Sequence, residues 1–81
     1  MTPTAKTRNI FHGMKARWPS DVVARTEVPN FTGGIYSTRY MANKDSAGEG
    51  PRERYRCGRK IVYPVDSLIE WLAGQTSTVN K

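Results

Sequence analysis

The sequence predicts an α+β fold, three helices with a two-stranded β-hairpin between the second and the third. Three observations predict it. Two stretches near residues 20–27 and 37–47 carry helix start and stop signals and are separated by Pro29 and Gly33-Gly34. Basic and apolar residues alternate from Glu53 to Tyr63 around Gly58-Arg59, the pattern of a hairpin. Val65, Leu68, Ile69 and Leu72 then form an apolar stripe at helical spacing. At 81 residues the chain has room for one small domain. Its hydrophobic share of 37% is low for a folded chain, so a folded centre with loose ends is expected.

Taken in order, residues 1–17 are polar, basic and aperiodic, and read as a flexible N-terminal arm. Ile10, Phe11 and Met14 could form a short turn that docks on the domain. The folded domain is expected over residues 18–74. Ser20 reads as the N-cap of the first helix, with Asp21 favourable in its first turn and Val22, Val23 and Ala24 as its apolar face. Pro29 would stop that helix, which therefore spans about Ser20 to Glu27. The second helix starts at Ser37 and runs without glycine or proline from Thr38 to Ala47, with Gly48 beyond its end. Met41, with Ile35 and Tyr40, would point inward. Thr38, Arg39, Ala42 and Asn43 would face outward.

After Gly48-Glu49-Gly50-Pro51, strands are expected at Glu53–Cys57 and Lys60–Tyr63. Arg54 and Arg56 would lie on one face and Tyr55 on the other, with Ile61 and Tyr63 inward on the second strand. Pro64 suits the first turn of the third helix, which Gly74 ends. Residues 75–81 read as a flexible tail.

Charge narrows the function. The net charge is +6. Residues 52–60 hold Arg52, Arg54, Arg56, Arg59 and Lys60 against Glu53 alone, and residues 1–25 are equally basic. Such a balance points to a polyanion, with nucleic acid ahead of an anionic membrane surface, and a merely solvated surface as the plain alternative.

The outer face of the second helix fits the major groove. Arg39 can fork onto guanine O6 and N7, and Asn43 onto adenine N6 and N7. Thr38 and Ala42 keep the helix slim and can touch a thymine methyl. The helix start at Ser37 offers N–H groups to a phosphate. The hairpin from Arg52 to Lys60 would be a wing along the backbone or in the minor groove, where arginine is favoured. The arrangement is that of a winged helix-turn-helix.

Ser37-Thr38-Arg39-Tyr40-Met41, Gly48-Glu49-Gly50-Pro51, Gly58-Arg59-Lys60-Ile61-Val62-Tyr63 and Asp66-Ser67-Leu68-Ile69-Glu70-Trp71-Leu72 resemble the winged helix-turn-helix domains of phage-type excisionases, also called recombination directionality factors. The AlpA-type regulators and the MerR-like DNA-binding domains share the pattern, and the resemblance covers about half the chain. It implies a recognition helix beginning at Ser37, with Thr38, Arg39, Ala42 and Asn43 at its outward positions, and Lys44 beside them is expected to join the DNA contact. Arg52, Arg54, Arg56, Arg59 and Lys60 would serve in the wing. It further implies binding to double-stranded DNA near an attachment site that biases an integrase towards excision, and because one small module offers few base contacts, cooperative head-to-tail copies are expected. Transcriptional control of mobile-element genes is the alternative role. Two departures stand out. The stretch from Ala24 to Ser37 is longer than the usual turn, and Lys44 stands where the family often has a large semi-buried residue.

Other chemistry is poorly supported. The one histidine, His12, lies in the arm, remote in sequence from any paired carboxylate, so no catalytic residues are assigned and no enzyme activity is expected. One cysteine, Cys57, and one histidine cannot build a disulfide framework or an ordinary zinc site, so no metal and no cofactor are expected. Cys57 reads as a small strand residue, and a lone thiol fits a reducing, cytoplasmic setting such as a bacterial nucleoid. No apolar run reaches membrane-span length, and Met1–Phe11 has no signal-peptide core. Neither a membrane nor a small-molecule substrate is expected. Tyr55 and Tyr63 fit strand packing better than a recombinase nucleophile, and Trp71, Leu68 and Leu72 fit the core. Trp18 could cap the core or stand in an interface. In the latter case Trp18 and the basic arm would make the chain an adaptor for an acidic protein.

Overall fold

The computed structural model describes Phe11 and residues 13–77. Most of the expected arm, with His12, and the end of the expected tail lie outside the described residues. The described chain is a small α+β unit of four helices and a three-stranded antiparallel sheet. Residues 13–17 are helical (α1). Then follow β1 (Val22–Ala24), a 3-10 turn (Arg25–Glu27), α2 (Val28–Phe31), α3 (Thr38–Ser46), β2 (Tyr55–Cys57), β3 (Lys60–Pro64) and α4 (Val65–Gly74).

The largest departure from expectation lies in residues 20–31. The sequence predicts one helix from Ser20 to Glu27. The chain instead makes a strand, a 3-10 turn and one helical turn. β-branched Val22 and Val23 suit a pleated strand, and the free edge of β3 supplies a ladder: Val22, Val23 and Ala24 pair with Pro64, Tyr63 and Val62. Ser20 caps no helix, and its hydroxyl accepts from the Val22 amide at 3.3 Å in a local turn. Pro29 lies in the first turn of α2, where its missing N–H costs nothing, so it opens a helix and does not stop one. The expected three helices and two strands become four and three: the added strand is β1, and the added helix is α1, at the end of the expected flexible arm, where Phe11 and Met14 pack on the core.

Downstream the reading and the structure run close together. Ser37 is the N-cap of α3, and its hydroxyl accepts from the Tyr40 amide at 3.0 Å. The hairpin forms around Gly58, whose φ of +62° is left-handed and favours glycine. β2 starts at Tyr55, two residues later than expected. Cys57 opposes Lys60, Arg56 opposes Ile61 and Tyr55 opposes Val62. Pro64 precedes α4 as its N-cap residue, and the Val65 amide donates to the Asp21 carbonyl at 2.9 Å, tying the start of α4 to the entry of β1.

The core lies between α4, α3, α2 and the inner face of the sheet. Val23 and Tyr63, opposed across β1 and β3, share that face and are fully buried. Met41, Leu68, Leu72, Val28, Phe31 and Val65 close over them, and Phe11 joins from the N-terminal side with Met14 packed beside it. Trp18 caps this core: its ring meets Phe31 edge-on at 5.2 Å and its Nε1 donates to the Val22 carbonyl at 2.8 Å.

Two inward assignments are corrected. Ile35 is 56% exposed, because it sits in the turn before the N-cap and Tyr36 takes the inward place against Trp71. Tyr40 is 37% exposed and stacks on Tyr36 at 4.8 Å. The expected faces of β2 are reversed: Tyr55 opposes Val62 on the face away from Tyr63 and is exposed, while Arg56 opposes Ile61 on the face that Tyr63 shares. Trp71 packs at the rim of the core, half-buried, with Nε1 donating to the Glu49 carbonyl at 2.8 Å.

Candidate nucleic-acid interface

α3 and the β2–β3 hairpin face each other across an open groove. From α3 come Thr38, Arg39 and Ala42. Their i, i+1 and i+4 spacing gathers them on one side of the helix, beside the face that buries Met41 and Asp45. From the hairpin come Arg59 and Lys60, with Ile61 deeper. Between the two walls lies the 3-10 turn, which packs against both α3 and β3 and contributes Arg25 and Thr26. Four cations and no carboxylate line the groove.

The other expected site residues fall into place around it. Ser37 spends its hydroxyl on capping, which leaves the Thr38 and Arg39 N–H groups without an intrahelical partner. Asn43 is exposed on α3, next to Ala42 but outside the groove lining. Arg56 opposes Ile61 and so shares its face of the sheet, while Arg54 is exposed just before β2. Two residues stand apart. Lys44 bonds to Glu49 at 3.3 Å and lies over the Tyr40 ring, and the Glu49 bond raises its pKa. Arg52 borders a second cleft with Trp71, Ser67 and the acidic Glu53, Asp66 and Glu70. Its surroundings are therefore far less cationic than those of Arg59.

Arg25 and Thr26 are absent from the expected site, because the predicted first helix gave them no neighbour across the fold. The partners of Arg25 are remote in sequence. Its Nη2 bonds Asp45 Oδ2 at 2.6 Å and its Nε donates to the Tyr63 hydroxyl at 3.2 Å. Tyr63 in turn donates to Asp45 Oδ2 at 2.5 Å. The carboxylate is buried, its side chain 4% exposed, while the Arg25 side chain is 23% exposed towards the groove. Burial alone would lower the guanidinium's pKa, but the hydrogen bonds to Tyr63 and Asp45 outweigh it and raise the pKa above its usual value.

Burial, reinforced by the bond to Asp45, pushes the Tyr63 phenol up to about 12 from 10.0. The folded protein thus holds this proton more tightly than the unfolded chain. The associated stabilisation is complete below about pH 10 and is lost as pH rises to about 12. Two pH units correspond to about 2–3 kcal/mol. Tyr36, raised by burial, and Tyr55, raised by its bond to Glu53, titrate late as well. The quantity to measure is therefore the difference between wild type and Tyr63→Phe in urea unfolding across this range. The wild type is expected to lose stability more steeply. Parallel curves would assign the titration to another group.

Among the described residues no cluster of His, Cys, Asp and Glu could hold a metal ion, and no helix is long and apolar enough to cross a membrane. Comparison of the chain with protein-family models, with curated proteins and with solved structures finds no match.

Proposed function

We propose that the protein is a sequence-specific, double-stranded-DNA-binding protein of the excisionase type, with no catalytic activity of its own. The observation that carries the DNA-binding reading is the groove. The polar face of α3 and the basic tip of the hairpin meet there, with no carboxylate among the lining residues. In this reading α2, the Thr32–Ser37 turn and α3 serve as the helix-turn-helix, α3 enters the major groove, and β2–β3 is the wing. Arg39 and Asn43 read base edges, Thr38 and Ala42 allow close approach, and Arg59 and Lys60 hold phosphates. Arg54 and Arg56 extend the wing along the backbone. The excision role comes from the resemblance of residues 37–72 to recombination directionality factors. Copies would bind head-to-tail near an attachment site in the bacterial cytoplasm and bias an integrase. Because one small module makes few base contacts, tight binding calls for several copies side by side.

The test is a mobility-shift titration of DNA from the gene's own neighbourhood at two salt concentrations, with wild type and Arg39→Ala in parallel. Stepwise, salt-sensitive complexes at one region are expected. Neutralising on the order of six phosphates gives a log–log salt slope of about −5. Arg39→Ala should cost about 1–3 kcal/mol of specific binding and relax the preference at one base pair. A promoter as the bound region would favour transcriptional control over excision. Equal, weak binding of every duplex by both proteins would refute sequence-specific reading and turn attention to an acidic protein partner.

A further inference from the structure

We propose that Arg25 is a preset phosphate ligand of the groove, a guanidinium fixed on one edge by Asp45 and Tyr63 that offers its other edge to a phosphodiester oxygen of bound DNA. This rests on the DNA-binding reading above and adds a third wall to it.

The geometry is that of a held fork. Nε is committed to the Tyr63 hydroxyl and Nη2 to Asp45 Oδ2. Nη1 has no partner among the described residues. The turn that carries Arg25 lies against both α3 and β3, and Arg25 lines the groove with Arg39 from one wall and Arg59 and Lys60 from the other. Thr26, exposed and also in the lining, adds a neutral hydroxyl donor.

Pairing with Asp45 does not disqualify Arg25. The carboxylate is buried behind the guanidinium, and the guanidinium is the exposed member of the pair. The positive end of the pair therefore faces the groove, among three further cations. A planar guanidinium has five N–H donors in a fixed arrangement, enough to serve a carboxylate, a phenol and a phosphate together. An ordinary surface arginine surrenders rotamer freedom when it grips a phosphate, whereas Arg25 is ordered before DNA arrives. Phosphate contacts set register and carry no sequence information, so Arg25 would position α3 while Arg39 reads.

The test is the Arg25→Gln/Asp45→Asn double variant, which removes one charge of each sign and leaves the net charge at +6. A response to net charge alone would leave its DNA binding unaltered. Loss of a phosphate contact should make the log–log salt slope shallower by about 0.9 and weaken specific and nonspecific duplexes alike. An unchanged slope and affinity in a double variant that melts cooperatively would overturn the proposal. Because the variant could fail to fold, the wild type supplies a second readout. Its Arg25 guanidinium nitrogen and proton resonances should shift on titration with a DNA duplex. Resonances that stay fixed while the α3 amides shift would overturn the role of Arg25 and leave DNA binding standing. A wild type that binds no duplex would overturn both readings.

Discussion

Replacing Asp45 by alanine is expected to lower folding stability by about 3 kcal/mol, the lower end of what breaking a buried ion pair costs. The lower end applies because the Arg25 side chain keeps 23% exposure and can recover some hydration. The loss has two parts. Arg25 keeps a partly buried charge without its counterion, and the Tyr63 hydroxyl, fully enclosed, loses its acceptor. In a domain of this size such a loss lowers the melting temperature by about 12–24 °C. Thermal melts of wild type, Asp45→Ala and Asp45→Asn decide the matter. The asparagine keeps an acceptor for both partners and is expected to fall between the other two. A melting temperature for Asp45→Ala within about 3 °C of wild type would show that the triad contributes little net stability.

The same carboxylate constrains Gly50. Asp45 Oδ1 is buried with no hydrogen-bond partner, and a Cβ on Gly50 would overlap it. The Gly-x-Gly-Pro segment therefore needs glycine at residue 50 for close approach, since the left-handed φ belongs to Gly48 and not to Gly50.

Met41→Ala is expected to cost about 2–5 kcal/mol. Met41 is fully buried and is the residue through which α3 enters the core cluster. Truncating it leaves a cavity under the helix that carries Thr38, Arg39 and Ala42. Urea unfolding checks the stability, and an unchanged midpoint would mean that α3 presents a different face to the core. The outcome bears on function too, because the rotation of α3 that buries Met41 also turns Arg39 to the groove.

Several features were legible in the sequence because short-range chemistry sets them. Ser37 as N-cap, the hairpin around Gly58 and the apolar stripe of α4 each follow from residues within one turn or one strand pair. Thr38, Arg39, Ala42, Arg59 and Lys60 were picked out by residue type and spacing, and the fold brings these five to one groove. Lys44 and Arg52 share that residue type but stand elsewhere: Lys44 is held over Tyr40, one turn back on α3, by Glu49 beyond the helix end, and Arg52 borders Trp71 of α4.

What the sequence determined by itself is a small basic α+β chain with one polar helix face and one arginine-rich hairpin, since charge, caps and periodicity are local properties. Only the tertiary structure decided that Val22–Ala24 is a strand and that Arg25 reaches the groove. β-branched Val22 and Val23 lean towards a strand while Ser20 and Asp21 carry helix-start chemistry, and the free edge of β3, about 40 residues on, settles the choice by offering ladder hydrogen bonds. Arg25 meets Asp45 and Tyr63 only once that strand has paired, so its place depends on a contact that no local pattern records.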